Sequence, residues 1–258
     1  MFLQKKIFFI IFSMILIFNC SVKATSVLIW PIDPVIEFSQ NSTQLWVENR
    51  DQNNSIILQV RIFRWHQVKT QNIMVKQNEL VVSPPIAKIF PRQKQLIRLV
   101  KRINPPQEKE WAYRLIIDEI PSIIENNTNN LNSELALKFQ MRYSIPLFSD
   151  GLNIWTKPNY QLQDDITTAT KPKLSYHIIQ DRSNQHWLVI KNNGPVHAKI
   201  IQLKFCDGHL ERWGRKGLLG YILPGSEIHL PITVLPIPKW KLIAKVNYNP
   251  QFQIMNPL

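Results

Sequence analysis

Residues 110–146 read EWAYRLIIDEIPSIIENNTNNLNSELALKFQMRYSIP, two apolar runs that each stop at a proline and are held apart by an asparagine-rich stretch. The first run predicts a strand from Trp111 to Ile120, ended by Pro121 because proline cannot donate to a ladder. Asn126, Asn127, Asn129 and Asn130 crowd the segment 125–132, which predicts a mobile loop. The second run predicts a long strand from Leu135 to Ile145, ending at Pro146. Period-two alternation puts Leu135, Leu137 and Phe139 on one face, and Ser133 and Leu131 continue that face into the loop. Alternating Leu and Phe ordinarily describe a core strand, so the pattern alone assigns no activity.

The same grammar extends upstream. A broken edge strand is expected over 26–38, where Pro31 and Pro34 interrupt it. Strands follow over 44–48, 55–65, 80–83, 86–90 and 95–100, the last three separated by Pro84-Pro85 and Pro91. In the 55–65 strand, Ile56, Leu58, Val60 and Ile62 form one apolar face. About seven strands in roughly 120 residues, each punctuated by turn chemistry, is the pattern of an immunoglobulin-like sandwich. After Ser149, Asp150 and Gly151 the pattern restarts over 177–179, 185–191, 198–205, 227–231 and 241–248, with turns at Asn193-Gly194 and Pro224-Gly225. The expectation is therefore an all-β protein of two β-sandwich domains, residues 25–148 and 152–258. With only 7 glycines and 18 prolines in 258 residues, strand dominates and helical periodicity is absent.

Residues 1–24 read as a cleavable signal peptide, with lipidation at Cys20 as the weaker alternative because Asn19 stands where a lipobox wants a small residue. Lys5 and Lys6 precede an apolar run from Ile7 to Phe18 that is short for a bilayer span, and Val22 and Ala24 occupy the −3 and −1 positions of a cleavage site. Export to the periplasm without stable membrane insertion follows. Cys206 is then the single cysteine left, so no intramolecular disulfide can hold the fold and apolar burial must do so. The formal charge of +13 is spread along the chain, without the clustering that nucleic-acid binding requires. The six histidines stand singly, with no metal-ligand spacing, and no nucleophile elbow, phosphate loop or dinucleotide fingerprint is present. The residues thus offer no catalytic group, metal site or cofactor site, and describe an exported β protein whose surface binds something.

Four stretches carry a resemblance: VLIWPIDPVI at 27–36, VSPPIAKIFP at 82–91 followed by LIRLV at 96–100, EWAYRLIIDEIP at 110–121, and LALKFQMRYSIP at 135–146. Together they resemble the PapD-like periplasmic pilus chaperones of the chaperone-usher pathway, in particular the archaic group that serves spore-coat-U-like pilins. That resemblance implies two immunoglobulin-like domains joined at an angle with a cleft between them. It also implies donor-strand complementation, in which the chaperone supplies a strand that the incomplete pilin sandwich lacks. Leu131, Ser133, Leu135, Leu137 and Phe139 are then the side chains that enter the pilin groove. The family also holds the subunit's C-terminal carboxylate between two cleft bases, and Arg142 matches one of them if one residue is deleted before Pro146. The non-archaic group keeps its other base on the first strand, where this chain has Asp33. Arg114 becomes the replacement, with an internal salt bridge to Asp118 or Glu110 as its competing role.

The implied partners are pilin subunits and an outer-membrane usher, and the implied activity is cofactor-free assembly of pili without catalysis. An exported two-domain adhesin or envelope binding module is the alternative, and it would place ligand contacts on loop tips. Whether the free protein self-associates through its strand edges is left open.

Overall fold

The computed structural model describes residues 27–68, 70–121, 140–156, 169–208 and 210–258. Every regular element among them is a strand. The first ten strands are β1 (Val27–Trp30), β2 (Val35–Ile36), β3 (Ser42–Asn49), β4 (Ile56–Val68), β5 (Gln71–Val75), β6 (Leu80–Ser83), β7 (Ile86–Ile89), β8 (Lys94–Lys101), β9 (Glu110–Ile120) and β10 (Arg142–Asp150). They form two packed sheets. One has the order β1-β3-β8-β6; the other runs β2-β10-β9-β4-β5, with β7 also on β4.

Alternation explains how the sheets close on each other. Leu45 and Val47 of β3 and Ile97 and Leu99 of β8 point inward. They meet Leu58 and Val60 of β4, Tyr113, Leu115 and Ile117 of β9, and Leu147 of β10, all in one buried cluster. Each such side chain contributes about 1.5–3 kcal/mol on burial, so the cluster accounts for most of what a disulfide-free domain has to hold it. The same parity turns Arg114, Ile116 and Asp118 of β9 to the opposite face.

The remaining strands build a second sandwich. Its sheets are β16 (Glu227–Ile232), β12 (His186–Asn192), β11 (Leu174–Gln180) and β19 (Asn256–Pro257) in that order, and β14 (Leu210–Arg215), β13 (Ala198–Asp207), β17 (Lys241–Val246) and β18 (Gln253–Ile254), with β15 (Gly220–Ile222) paired to β13. Leu188, Ile190, Ile200, Phe205, Ile232 and Leu242 lie in its core.

Two sequence expectations need correcting. The leading stretch does not stay on one edge: β1 pairs with β3 in the first sheet, whereas β2 pairs in parallel with β10 in the second. Pro31 and Pro34 fall between the two pieces, where the ladder is interrupted, so the chain can change sheets there. Nor does the strand after the loop end at Pro146, because β10 continues through it to Asp150. Pro146 lies opposite Arg114 of β9. On its other side β2 reaches only Phe148 and Ser149, so among the described residues Pro146 has no second ladder for its missing N–H to break.

Candidate functional site

The outward face of the β10-β9-β4 sheet carries the charged candidates. Its cross-strand rows are set by register: Pro146, Arg114 and Phe63 share one, Ser144, Ile116 and Arg61 the next, and Arg142, Asp118 and Gln59 the third. Arg142 is exposed, and its Nε donates to Asp118 Oδ1, while Arg61 Nη2 donates to Asp118 Oδ2. Partial desolvation pushes the Asp118 carboxyl up, but the bonds from Arg142 and Arg61 outweigh it and hold the group below the usual carboxylate range.

Arg114 has different company. Its guanidinium carbon lies 3.7 Å from the centre of the Trp65 ring and 6.0 Å from that of Tyr221, which comes from the second sandwich. Burial lowers its pKa, and Tyr221 opposes that shift. Among the described residues no carboxylate forms an ion pair with it. The two carboxylates considered as its partners from sequence are engaged elsewhere, Asp118 by Arg61 and Arg142, and Glu110 by His197. Both predicted anchor bases therefore share a face, but the structure does not bring them side by side. They stand four residues apart along the ladder, roughly 13 Å at strand rise. The predicted donor side chains Leu131, Ser133, Leu135, Leu137 and Phe139 lie outside the described residues.

Beyond Arg114 the face runs under the second sandwich. Val35, Trp65, Ala112 and Phe148 bury themselves with Tyr221 and Leu223. Polar contacts fix the register of this joint. Gln67 donates from Nε2 to the Tyr221 carbonyl at 2.9 Å and accepts the Leu223 N–H at 2.8 Å. Lys199 Nζ donates to Asp33 Oδ2 at 2.8 Å. Burial works against the Lys199 charge, but Asp33 outweighs it and raises the pKa. Thus Asp33, in the break between β1 and β2, is matched by a lysine from the other sandwich. Sequence reading missed Lys199 because the pairing spans 166 positions.

Deepest in the joint, the His197 ring stacks on Phe148 with centroids 3.6 Å apart and planes 5° apart. Its Nδ1 lies 2.7 Å from Glu110 Oε2, and its backbone N–H donates to Glu110 Oε1 at 3.0 Å. Asp150 follows on β10, fully buried and bonded from the Thr156 hydroxyl. Desolvation first, then the neighbouring Glu110, pushes its carboxyl up to about 8. The native state consequently holds a proton there that the unfolded chain, with an ordinary value of 3.8, releases earlier. The resulting stabilisation is complete in acid and is lost as pH rises toward about 8. Asp150→Asn is expected to be more stable than wild type at pH 8 by about 1–3 kcal/mol and to lose that advantage at pH 4, as read by denaturant melts. Equal melting differences at both pH values would refute the assignment.

What the arrangement offers chemically is recognition. A half-buried guanidinium with no carboxylate partner among the described residues stands where two sandwiches meet, a setting suited to gripping an incoming anion. Among the described residues no group of three or more His, Cys, Asp or Glu side chains could hold a metal.

Comparison with known proteins bears on the family and the fold. A family model described as "Pili and flagellar-assembly chaperone, PapD N-terminal domain" matches residues 34–150. A chain in the chaperone–tip adhesion subunit pre-assembly complex from the archaic chaperone-usher Csu pili of Acinetobacter baumannii is 31% identical, with a TM-score of 0.71 over 90% of this chain and 99% of that one. The E. coli chaperone DraB aligns at 18% identity and TM-score 0.57, covering 92% of this chain and 98% of its own. A chain from the complex of the Salmonella enterica SafA pilin with the SafB chaperone aligns at 15% and 0.57, covering 91% and 99%. The last two likenesses are of fold alone. No curated protein sequence matches the chain.

Proposed function

The chain belongs to the PapD-like pilus-assembly chaperones, and on that premise we propose that it holds a pilin by donating the strand 131–139 and clamping the subunit's C-terminal carboxylate at Arg114. It is a periplasmic chaperone for pilus subunits and not an enzyme. The observation that carries the anchor is the guanidinium of Arg114, half-buried on an aromatic floor without a carboxylate partner among the described residues. Arg142 serves the anchor less directly. Its bond to Asp118 has to open, or the incoming carboxylate has to join the two arginines around Asp118, before it can contribute.

Donation by Leu131, Ser133, Leu135, Leu137 and Phe139 fits the start of β10 at Arg142, because a strand already hydrogen-bonded to β9 can carry its upstream residues into a pilin groove. Burial of several apolar side chains at about 1.5–3 kcal/mol each would offset the ordering of the segment without a cofactor. We further assign residues 1–24 to a cleaved export signal and the two domains to 25–148 and 152–258. Delivery to an outer-membrane usher would follow, where a subunit extension replaces the donated strand.

The test is co-expression with pilins encoded in the same genome and recovery of soluble one-to-one complexes from the periplasm. Leu137→Glu places a charge in the apolar groove and is expected to abolish the complex; Arg142→Ala is expected to weaken it by no more than about tenfold, since that side chain is exposed and already paired. Full retention of complex by Leu137→Glu would remove strand donation from the assignment.

A further inference from the structure

The second sandwich is charged very differently from the first. Residues 169–258 hold 12 lysines and arginines against four carboxylates, Asp181, Asp207, Glu211 and Glu227, whereas residues 27–150 hold 15 against 12. Part of this excess is gathered along one margin, made by β14 and the segment 233–240 that leads into β17, where Arg212, Arg215, Lys216, Lys239 and Lys241 stand against Asp207 and Glu211.

Polar contacts tie the chain at both ends of that segment to β14, directly from Pro231 of β16 and through Asp207 of β13. At one, Arg215 Nη2 donates to the Pro231 carbonyl at 3.1 Å. At the other, Lys239 and Arg212 each approach Asp207 Oδ2 at 3.5 Å. Among the described residues β14 is the outer strand of its sheet, with β13 beside it. Between the two fastenings the segment turns apolar side chains to solvent. Val234, Leu235 and Ile237, with Leu210 at the start of β14, are 40–60% exposed. Trp240 and Trp213 instead pack against the core and anchor the margin from beneath. Pro236 and Pro238 stiffen the segment, so these apolar tips stand out at little entropic cost.

Exposed aliphatic side chains set among guanidinium and ammonium groups form the composition of a surface that sits at the headgroup level of an anionic bilayer. The apolar tips enter the acyl boundary and the cations meet phosphates. A soluble protein partner would also cover apolar area; the excess of cations over carboxylates around these tips favours an anionic bilayer.

We propose that the β14 and 233–240 margin of the second sandwich is a peripheral docking surface for anionic phospholipid membranes, distinct from the pilin-binding face. It rests on the reading of the chain as an exported periplasmic chaperone, which keeps it beside the membranes of the envelope. Docking would confine a loaded chaperone to two dimensions without inserting it, and would leave the β9–β10 face free for its subunit.

Vesicle co-sedimentation of the purified protein tests this directly. Binding is expected to vesicles of phosphatidylglycerol mixed with phosphatidylcholine, to be absent with phosphatidylcholine alone, and to fall steeply between low and high salt. The double variant Leu235→Ser/Ile237→Ser should lose binding by about tenfold or more through the apolar contribution, and Arg212→Glu/Lys239→Glu by a similar factor through charge. Near-ultraviolet circular dichroism and recovery of the pilin complex, measured on the same variants, should be unchanged. Failure of that complex in wild type would count against the chaperone reading and not against docking. Absence of binding to anionic vesicles, or binding by either double variant as strong as that of wild type, would overturn the docking proposal. So would a loss in the variants of capture by an outer-membrane protein in detergent while vesicle binding persisted.

Discussion

Replacing Arg114 by alanine is expected to eliminate recovery of the chaperone–pilin complex, with affinity reduced by about two orders of magnitude or more. The reason lies in what surrounds the guanidinium. Trp65 supplies a ring beneath it and Tyr221 flanks it from the other sandwich, but no carboxylate among the described residues neutralises it. Burial has already lowered its pKa, so a subunit carboxylate arriving there regains electrostatic stabilisation that the free protein lacks. Removing one partner of a desolvated charge pair costs about 2–5 kcal/mol of binding. The free protein should suffer far less, since a ring contact of this kind is worth about 0.5–2 kcal/mol. Arg114→Lys is expected to restore part of the binding, because an ammonium keeps the charge but not the planar, two-pronged geometry. The decisive reading pairs complex recovery with a thermal melt of the free variant. Lost complex with a retained melt supports an anchor, whereas a retained complex removes Arg114 from the site.

His197→Ala should act oppositely, on the protein and only secondarily on its subunit. It deletes a ring stacked on Phe148 and the bond from that ring to Glu110, leaving a carboxylate that is fully enclosed in the native state. Glu110 keeps the backbone N–H of residue 197, so the cost is that of the lost side-chain bond and of the ring's packing, about 3–5 kcal/mol together. For a chain of this length that corresponds to a fall of roughly 6–20 °C in apparent melting temperature. Because the pair joins β9 to the second sandwich, small-angle scattering should also report a wider range of angles between the sandwiches. A melt within about 2 °C of wild type would show that the stack and the bond contribute little to the joint.

The sandwiches were legible because their strands repeat a short-range rule. β3, β8 and β9 alternate cleanly, begin and end beside turn chemistry, and fall within a residue or two of where alternation puts them. Strands that escaped sequence reading are those for which alternation has nothing to work on. β15, β18 and β19 are two or three residues long. β5 is exposed along its whole length and β14 at every position but Trp213, so no apolar face marks them. Site residues divide in the same way. Arg114 stands out as a charge inside an apolar run, and that local anomaly led to it. The Lys199–Asp33, Gln67–Tyr221 and Glu110–His197 contacts join residues 87 to 166 positions apart, and no pattern within a window can announce them. Arg142 shows the converse hazard. Its place in a motif was plain, but only the register reveals that Asp118 lies across from it.

Cys206 is buried within β13, the free cysteine among the described residues. A thiol enclosed in this way reacts with a maleimide or an aromatic disulfide only when its surroundings open. The protein therefore carries its own clock. The labelling rate of the unaltered chain times the opening of the second sandwich, without an introduced probe. Set beside a melt of the whole protein followed by far-ultraviolet circular dichroism, it would tell whether the two halves let go together or in turn.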